Sequence, residues 1–140
     1  MSVVISEVQD LRDCHALRLE VFVKEQGVTL EEEMDEFDDG AIHLLAVDGD
    51  LPVGTARILR KGVTGKIGRV CVAKSHRGTG LGAALIRASL QRLAKEPVIT
   101  RAQLGAQTHA IGFYEKLGFK AYGPVYDDAS IPHRDMERDV

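Results

Sequence analysis

The sequence predicts an α/β fold: one domain over residues 1–140, with a mixed, mostly antiparallel sheet flanked by helices. Three observations carry that expectation. Apolar runs of strand length alternate with helical periodicities in the order β-α-β-β-β-α-β-α-β. A glycine-rich turn at residues 77–82 joins a strand to a helix. The 140 residues contain no internal repeat, low-complexity linker or break in composition, and 44% hydrophobic with 28% charged residues is the balance of a globular chain.

Residues 3–5 (Val-Val-Ile) open as a short strand. A helix follows from Asp10, its predicted N-cap, to about Gln26, with Cys14, Leu17 and Val21 at spacings of three and four and Gly27 as its stop. The acidic stretch 31–39 is expected to be a loop with a short helix. Residues 41–47 and 52–59 read as strands joined by Asp48-Gly49-Asp50, which is hairpin chemistry. A third strand over 67–73 is reached through the turn at 62–65. The glycine turn then feeds a helix to about Glu96, with Ala83, Ile86, Leu90, Leu93 and Ala94 as its apolar stripe and Pro97 as its stop. Residues 98–104 return as a strand, and 107–117 form a helix ended by Gly118. Residues from Phe119 onward are strand again, divided by Pro124 and Pro132.

The charge is unevenly spread. Eighteen basic residues stand against 21 acidic ones, but seven of the acids fall within 31–39. Without that segment, 18 bases face 14 acids. A mildly basic body with one acidic stretch is not the strongly basic face of a nucleic-acid binder. It suits an anionic ligand on the body, and the acids are candidates to attract a cationic amine, or else a plain solvated loop. No apolar run approaches the ~20 residues of a membrane span, and the N-terminus lacks the pattern of a signal peptide. Two cysteines, Cys14 and Cys71, are too few for a disulfide scaffold, so a reduced, cytoplasmic protein is expected. The five histidines lack metal-ligand spacing, and no metal is expected.

The sequence Arg77-Gly78-Thr79-Gly80-Leu81-Gly82 is the most informative stretch. Glycines between a strand and a helix let backbone N–H groups approach an anion, the helix N-terminus adds about half a positive charge, and Arg77 supplies a planar donor fork. Together they make a pyrophosphate cradle; the bland alternative is a tight turn without a ligand. A Walker loop is excluded because no Gly-Lys-Ser/Thr follows. Gly78, Gly80 and Ala83 fit a dinucleotide G-x-G-x-x-A pattern, but most of the sheet precedes the loop and the next strand ends without a ribose-binding acid.

Arg77, Gly80 and Gly82 instead match the signature Gln/Arg-x-x-Gly-x-Gly/Ala, and residues 110–119 (Ala-Ile-Gly-Phe-Tyr-Glu-Lys-Leu-Gly-Phe) match a second motif, Ala-x-x-x-Tyr-Glu-Lys-x-Gly-Phe, at the right separation. On these motifs the chain resembles the GNAT (Gcn5-related N-acetyltransferase) superfamily, as a small bacterial member. The resemblance implies acetyl-CoA as co-substrate. The loop Arg77, Gly78, Thr79, Gly80, Leu81 and Gly82 would hold its pyrophosphate. Backbone groups of Val70, Cys71 and Val72 would pair with its pantetheine arm. Gln107 stands where the family usually has a cofactor-binding Asn.

The same resemblance points the Tyr114 hydroxyl at the departing sulfur as general acid, a role that suits a phenol with a pKa of about 10. Residues 131–136 (Ile-Pro-His-Arg-Asp-Met) resemble the Pro-His-x-x-Met ending of glyphosate N-acetyltransferase-like enzymes, which implies His133 as general base. Glu25 and Asp38 are alternative bases. Arg18 and Arg69 match two acceptor-binding arginines of that branch, whereas Gln107 occupies the third position, so a dianionic acceptor is not expected. Cys71 reads as a buried strand residue, and Phe113 and Phe119 as core. The function implied is acetyl transfer to a primary amine, small molecule or peptide, by direct ternary-complex transfer, with no nucleic-acid or membrane partner; a homodimer is left open. The competing readings are a CoA-binding sensor without turnover and a dinucleotide-binding module.

Overall fold

A computed structural model describes residues 3–34 and 37–140. Its centre is a seven-stranded sheet: β1 (Val3–Val8), β2 (Ile42–Asp48), β3 (Leu51–Lys61), β4 (Thr64–Val72), β5 (Arg101–Gln107), β6 (Lys120–Asp128) and β7 (Ile131–Asp139). The spatial order is β1-β2-β3-β4-β5-β7-β6. Every pairing is antiparallel except β4 with β5, the one crossover that needs an intervening helix. The helices are α1 (Arg12–Arg18), α2 (Leu30–Glu33), α3 (Leu81–Leu93) and α4 (Ile111–Glu115). The fold is therefore the mixed, mostly antiparallel α/β arrangement expected. Among the described residues no helix is long and apolar enough to cross a membrane.

Both faces of the sheet are covered, which is why β2 reads as a continuous apolar run rather than an alternation. Leu44 and Ala46 face the larger core with Val53, Ile58, Ile67, Leu85, Ile86, Leu93 and Met136. Leu45 faces the smaller core with Cys14, Leu17, Val21 and Cys71, beneath α1. The stripe of α3 is rotated from the expected one. Leu81, Leu85, Ile86, Ser89 and Leu93 are buried and Ala94 is exposed. Ser89 can sit inside because its hydroxyl donates to the Leu85 carbonyl, 2.8 Å away.

Several boundaries differ from the sequence reading for identifiable reasons. The helix begun at Arg12 does not run evenly to Gln26. From Leu19 to Glu25 it widens into π-helical turns, with the Gln26 N–H donating to the Val21 carbonyl at 3.1 Å. Asp10 is not its N-cap residue; its carboxylate accepts from the Arg12 N–H at 3.1 Å and pairs with the Arg12 guanidinium. The short helix in the acidic stretch is α2, held by a capping box between Thr29 and Glu32. The fifth strand starts at Arg101, not at residue 98, because Val98 is left exposed by the turn after Pro97. Neither proline divides the final β segment. The chain reverses at Ala129 and Ser130, both in the left-handed region (φ 52° and 65°), as a two-residue hairpin requires. Pro124 falls within the irregular stretch between Tyr122 and Tyr126, where pairing lapses and a missing N–H costs nothing.

Gly65 packs so tightly that a Cβ there would lie 2.3 Å from a methyl of the fully buried Leu93. Gly65→Val is expected to push α3 off β4 and to lower the unfolding free energy by about 1–3 kcal/mol in urea denaturation.

Candidate active site

β4 and β5 are hydrogen-bonded only over Thr64↔Arg101, Gly65↔Ala102 and Lys66↔Gln103. Beyond those three pairs they part. β5 keeps its other partner, β7, for its whole length, and β4 keeps β3. Just past the last pair β4 carries a β-bulge, in which Arg69 and Val70 oppose the single residue Ala56. Arg69 takes the left-handed conformation (φ 50°), and the buried Thr55 hydroxyl donates to its carbonyl at 2.9 Å. The bulge thus bends β4 away from β5 and fixes the bend.

A cleft of about 440 Å³ fills the gap. Arg69, Val70, Gln107, Tyr114 and His133 all line it, so five of the expected site residues meet in one place. Tyr114 comes from α4, packs against the core beneath α3, and contacts Phe113 and Phe119 edge-on at 5.0 and 6.2 Å. No described side chain accepts its hydroxyl proton. Burial pushes its phenol pKa up, so the proton stays on at neutral pH.

His133 sits opposite Gln107 in the β5–β7 register, and its Nδ1 lies 2.7 Å from the Ile131 carbonyl. A carbonyl only accepts, so Nδ1 carries hydrogen and Nε2 is the lone-pair nitrogen of the neutral ring. The imidazole stacks on Tyr126 at 6.0 Å between centroids. The Tyr126 hydroxyl donates to Asp135 at 2.6 Å and passes over Gly105, where a Cβ would lie 2.6 Å from it. Only glycine admits the tyrosine there. Nothing in the strand pattern marks Tyr126 as a partner of His133; the pairing depends on the hairpin register.

The glycine turn lies at the other end of the parted strand. Gly78 (φ 76°) and Gly80 (φ 87°) hold the left-handed conformation that other residues avoid. Gly80 opens α3 without a side-chain cap, and the first helical bond is from Ala84 N–H to the Gly80 carbonyl. The N–H groups of Leu81, Gly82 and Ala83 thus have no acceptor within the helix. They border a hollow of about 250 Å³ lined by Val72, Arg77, Gly78, Gly80, Leu81, Gly82 and Phe113. Phe113 is therefore a half-exposed wall of this hollow, whereas Phe119 is core as expected. The Arg77 Nε donates to the Val72 carbonyl (3.0 Å), and its two terminal nitrogens face the Glu25 carboxylate at 2.8 and 3.0 Å. Thr79 donates to the His76 carbonyl at 2.6 Å and tightens the turn. Uncapped amides, left-handed glycines and an arginine form a donor set that fits a pyrophosphate.

The acidic stretch does something the charge count does not reveal. Arg18 is 1% exposed and lies off the cleft. Its Nε donates to Glu33 and its Nη1 to Asp38 at 3.0 Å. Arg57 also donates to Asp38, at 3.1 Å, and His15 contacts the other Asp38 oxygen at 3.0 Å. Arg69 donates to the Glu32 and Glu33 carbonyls at 3.1 and 3.3 Å. Glu33 and Asp38 are therefore neither a solvated loop nor a rim for an amine. They are partners of arginines that α1, β3 and β4 carry under the sheet face. Asp35 and Glu36 lie outside the described residues. Burial would raise the Asp38 carboxyl, but hydrogen bonds and charge from Arg18, with His15 and Arg57, more than reverse this and hold it well below the carboxylate range. Asp38 is poorly suited to be a base, and the Arg77 hydrogen bond lowers Glu25 as well.

Cys71 is buried with its thiol pushed up to about 11, and Cys14 behaves alike, so neither is a thiolate nucleophile at neutral pH. His109 donates from Nε2 to the Gln107 side chain at 2.7 Å, and Gln107 in turn reaches Gln26 at 3.3 Å. Among the described residues no group of three or more His, Cys, Asp or Glu is placed to hold a metal.

A model of the acetyltransferase (GNAT) domain family matches residues 9–140. The uncharacterized N-acetyltransferase YjcF of Bacillus subtilis (strain 168) is 40% identical over 139 residues, covering 99% of both chains. Among solved structures, an acyl-CoA N-acyltransferase from Pseudomonas aeruginosa superposes with a TM-score of 0.84 at 30% identity, over 98% of each chain. Escherichia coli ElaA superposes with a TM-score of 0.86 at 29% identity, over 98% of this chain and 99% of its own.

The depressed Asp38 carboxyl makes a stability prediction of definite sign. Its contribution is present above the unfolded-state pKa of about 3.9 and is lost as pH falls toward the lower folded-state value. Asp38→Asn is expected to lose about 1–3 kcal/mol at pH 7. The gap to the parent chain should close as urea titrations are moved below about pH 4.

Proposed function

The chain belongs to the acetyltransferase (GNAT) domain family, and from that premise we propose that it transfers acetyl from acetyl-CoA directly to a primary amine within a ternary complex. One observation carries the reading: β4 parts from β5 and runs from the cleft walled by Tyr114 and His133, where Val70 lines it, to the hollow at the uncapped start of α3, where Val72 lines it. Acetyl-CoA, when bound, supplies a thioester activated for attack by nitrogen.

The residues divide the work by their chemistry. Arg77 and the amides of the turn 78–82 hold the pyrophosphate, for which Arg77 exchanges its Glu25 contact. The β4 backbone at Val70, Cys71 and Val72 lacks a β5 partner and suits pairing with the pantetheine amides. Gln107 borders the same space as an amide donor. Tyr114 keeps its proton and donates it to the departing thiolate. His133 presents Nε2 as the base that takes a proton from the amine, which must be neutral to attack. The ending of glyphosate N-acetyltransferase-like enzymes, which residues 131–136 resemble, supports that assignment. Arg69 reaches the cleft; Arg18 acts on the acceptor only through the ion cluster.

Three variants test this. Arg77→Glu should abolish saturable acetyl-CoA binding in calorimetry. Tyr114→Phe should lower kcat roughly 100-fold or more with near-unchanged acetyl-CoA affinity; unchanged turnover removes Tyr114 from the acid role. If His133 is the base, its protonation forms the acidic limb of the kcat/KM profile, and that limb should be lost or displaced in His133→Ala. An identical limb removes it. Thiol release with an amine panel decides against a sensor without turnover.

A further inference from the structure

Two lysines set the acceptor side of the cleft apart. Lys61 on β3 and Lys66 on β4 both line it. Lys66 pairs with Leu59 across the strands, and Leu59 and Lys61 are two residues apart, so both ammonium groups stand on the cleft face. Neither forms an ion pair or side-chain hydrogen bond among the described residues. The lining acids are largely committed elsewhere. Glu33 is held by Arg18 and Arg69. The Glu32 carboxylate accepts from the Thr29 hydroxyl at 2.9 Å in the α2 capping box. Asp128, at the hairpin tip, is the lining acid left outside such contacts among the described residues. Arg57 and Arg69 line the same floor, but their charge is matched by Asp38 and Glu33.

The spacing is also definite. Lys66 precedes Val70 by four residues, at most about 13 Å along a strand, and a lysine stem reaches back over several of them. In the register, Lys66 is level with Gln103 and His133 with Gln107, four residues further along β5, so a ligand with its nitrogen beside His133 and its long axis along β5 turns its far end toward Lys66.

Resting on the transferase reading above, we infer that the acceptor is an anionic amine, a primary amine whose other end is a carboxylate held by Lys61 and Lys66. The acidic stretch suggested the opposite charge from sequence. Two of its carboxylates, Glu33 and Asp38, neutralise internal arginines instead, and Lys61 and Lys66 are the cleft cations without an ion pair among the described residues.

The test compares 6-aminohexanoate, hexylamine and 1,6-diaminohexane as acceptors, and measures calorimetric binding of their N-acetyl products in the presence of CoA. The carboxylate amine is expected to exceed the diamine in kcat/KM by roughly tenfold, the scale of one or two charge-assisted hydrogen bonds. Its product is expected to bind more tightly than that of hexylamine by a similar factor. Lys66→Glu should reverse the preference, and Lys66→Gln should reduce it, with acetyl-CoA binding unchanged in both. Equal kcat/KM for all three amines, or preference for the diamine, overturns the inference and leaves acetyl transfer standing. No turnover of any amine with selective, Lys66-dependent product binding contradicts acetyl transfer and supports the anion site. Product binding without selectivity, or no product binding, overturns the inference whether or not there is turnover.

Discussion

The release of β5 by β4 after three residue pairs is the constraint on which the rest of the structure depends. A parallel pair that ran on would bury the β4 backbone and close the cleft. The bulge at Arg69 prevents this by spending an extra residue, and Thr55 fixes the resulting carbonyl. An open strand edge inside a domain leaves polar groups that want partners. A ligand with amides of its own satisfies that edge, and the glycine turn at the end of the same strand offers donors for an anion at the correct side of it.

The buried ion cluster is the second element holding the gap in shape. Arg18, Arg57 and Arg69 come from three different elements, and Glu33 and Asp38 tie them to the segment that walls the cleft. Charges taken out of water cost several kcal/mol each unless paired, and removal of one partner leaves the others exposed to that cost. Such a cluster is weak evidence for net stability. It does tie α1 to β4 through Glu33, beside the cleft that Phe22 and Gln26 line. Glu33 and Asp38 serve geometry before they serve substrate.

Much of the fold was legible in the sequence because its signals are local. Apolar runs of strand length, Gly27 and Gly118 as helix stops, and the loop 77–82 are all decided by neighbouring residues. The parts missed depend on distant contacts. The final reversal at Ala129–Ser130 carries no glycine, and Pro124 is tolerated only because pairing lapses there. The site shows the same division. Arg77, Tyr114 and Gln107 sit on recognisable motifs, and they line the two cavities. The fates of Arg18, Glu33 and Asp38 required knowing that α1, α2 and the middle of the sheet converge. Tyr126, Lys61 and Lys66 carry no motif, and only the strand register brings them to the cleft.

The central claim is that one cofactor spans both the parted strand and the helix start. Amide hydrogen exchange with and without saturating acetyl-CoA tests it most directly. The amides of Val70, Cys71 and Val72 and those of Leu81, Gly82 and Ala83 should slow together, along one saturation curve. Protection of the helix amides alone, or of neither group, would contradict the account.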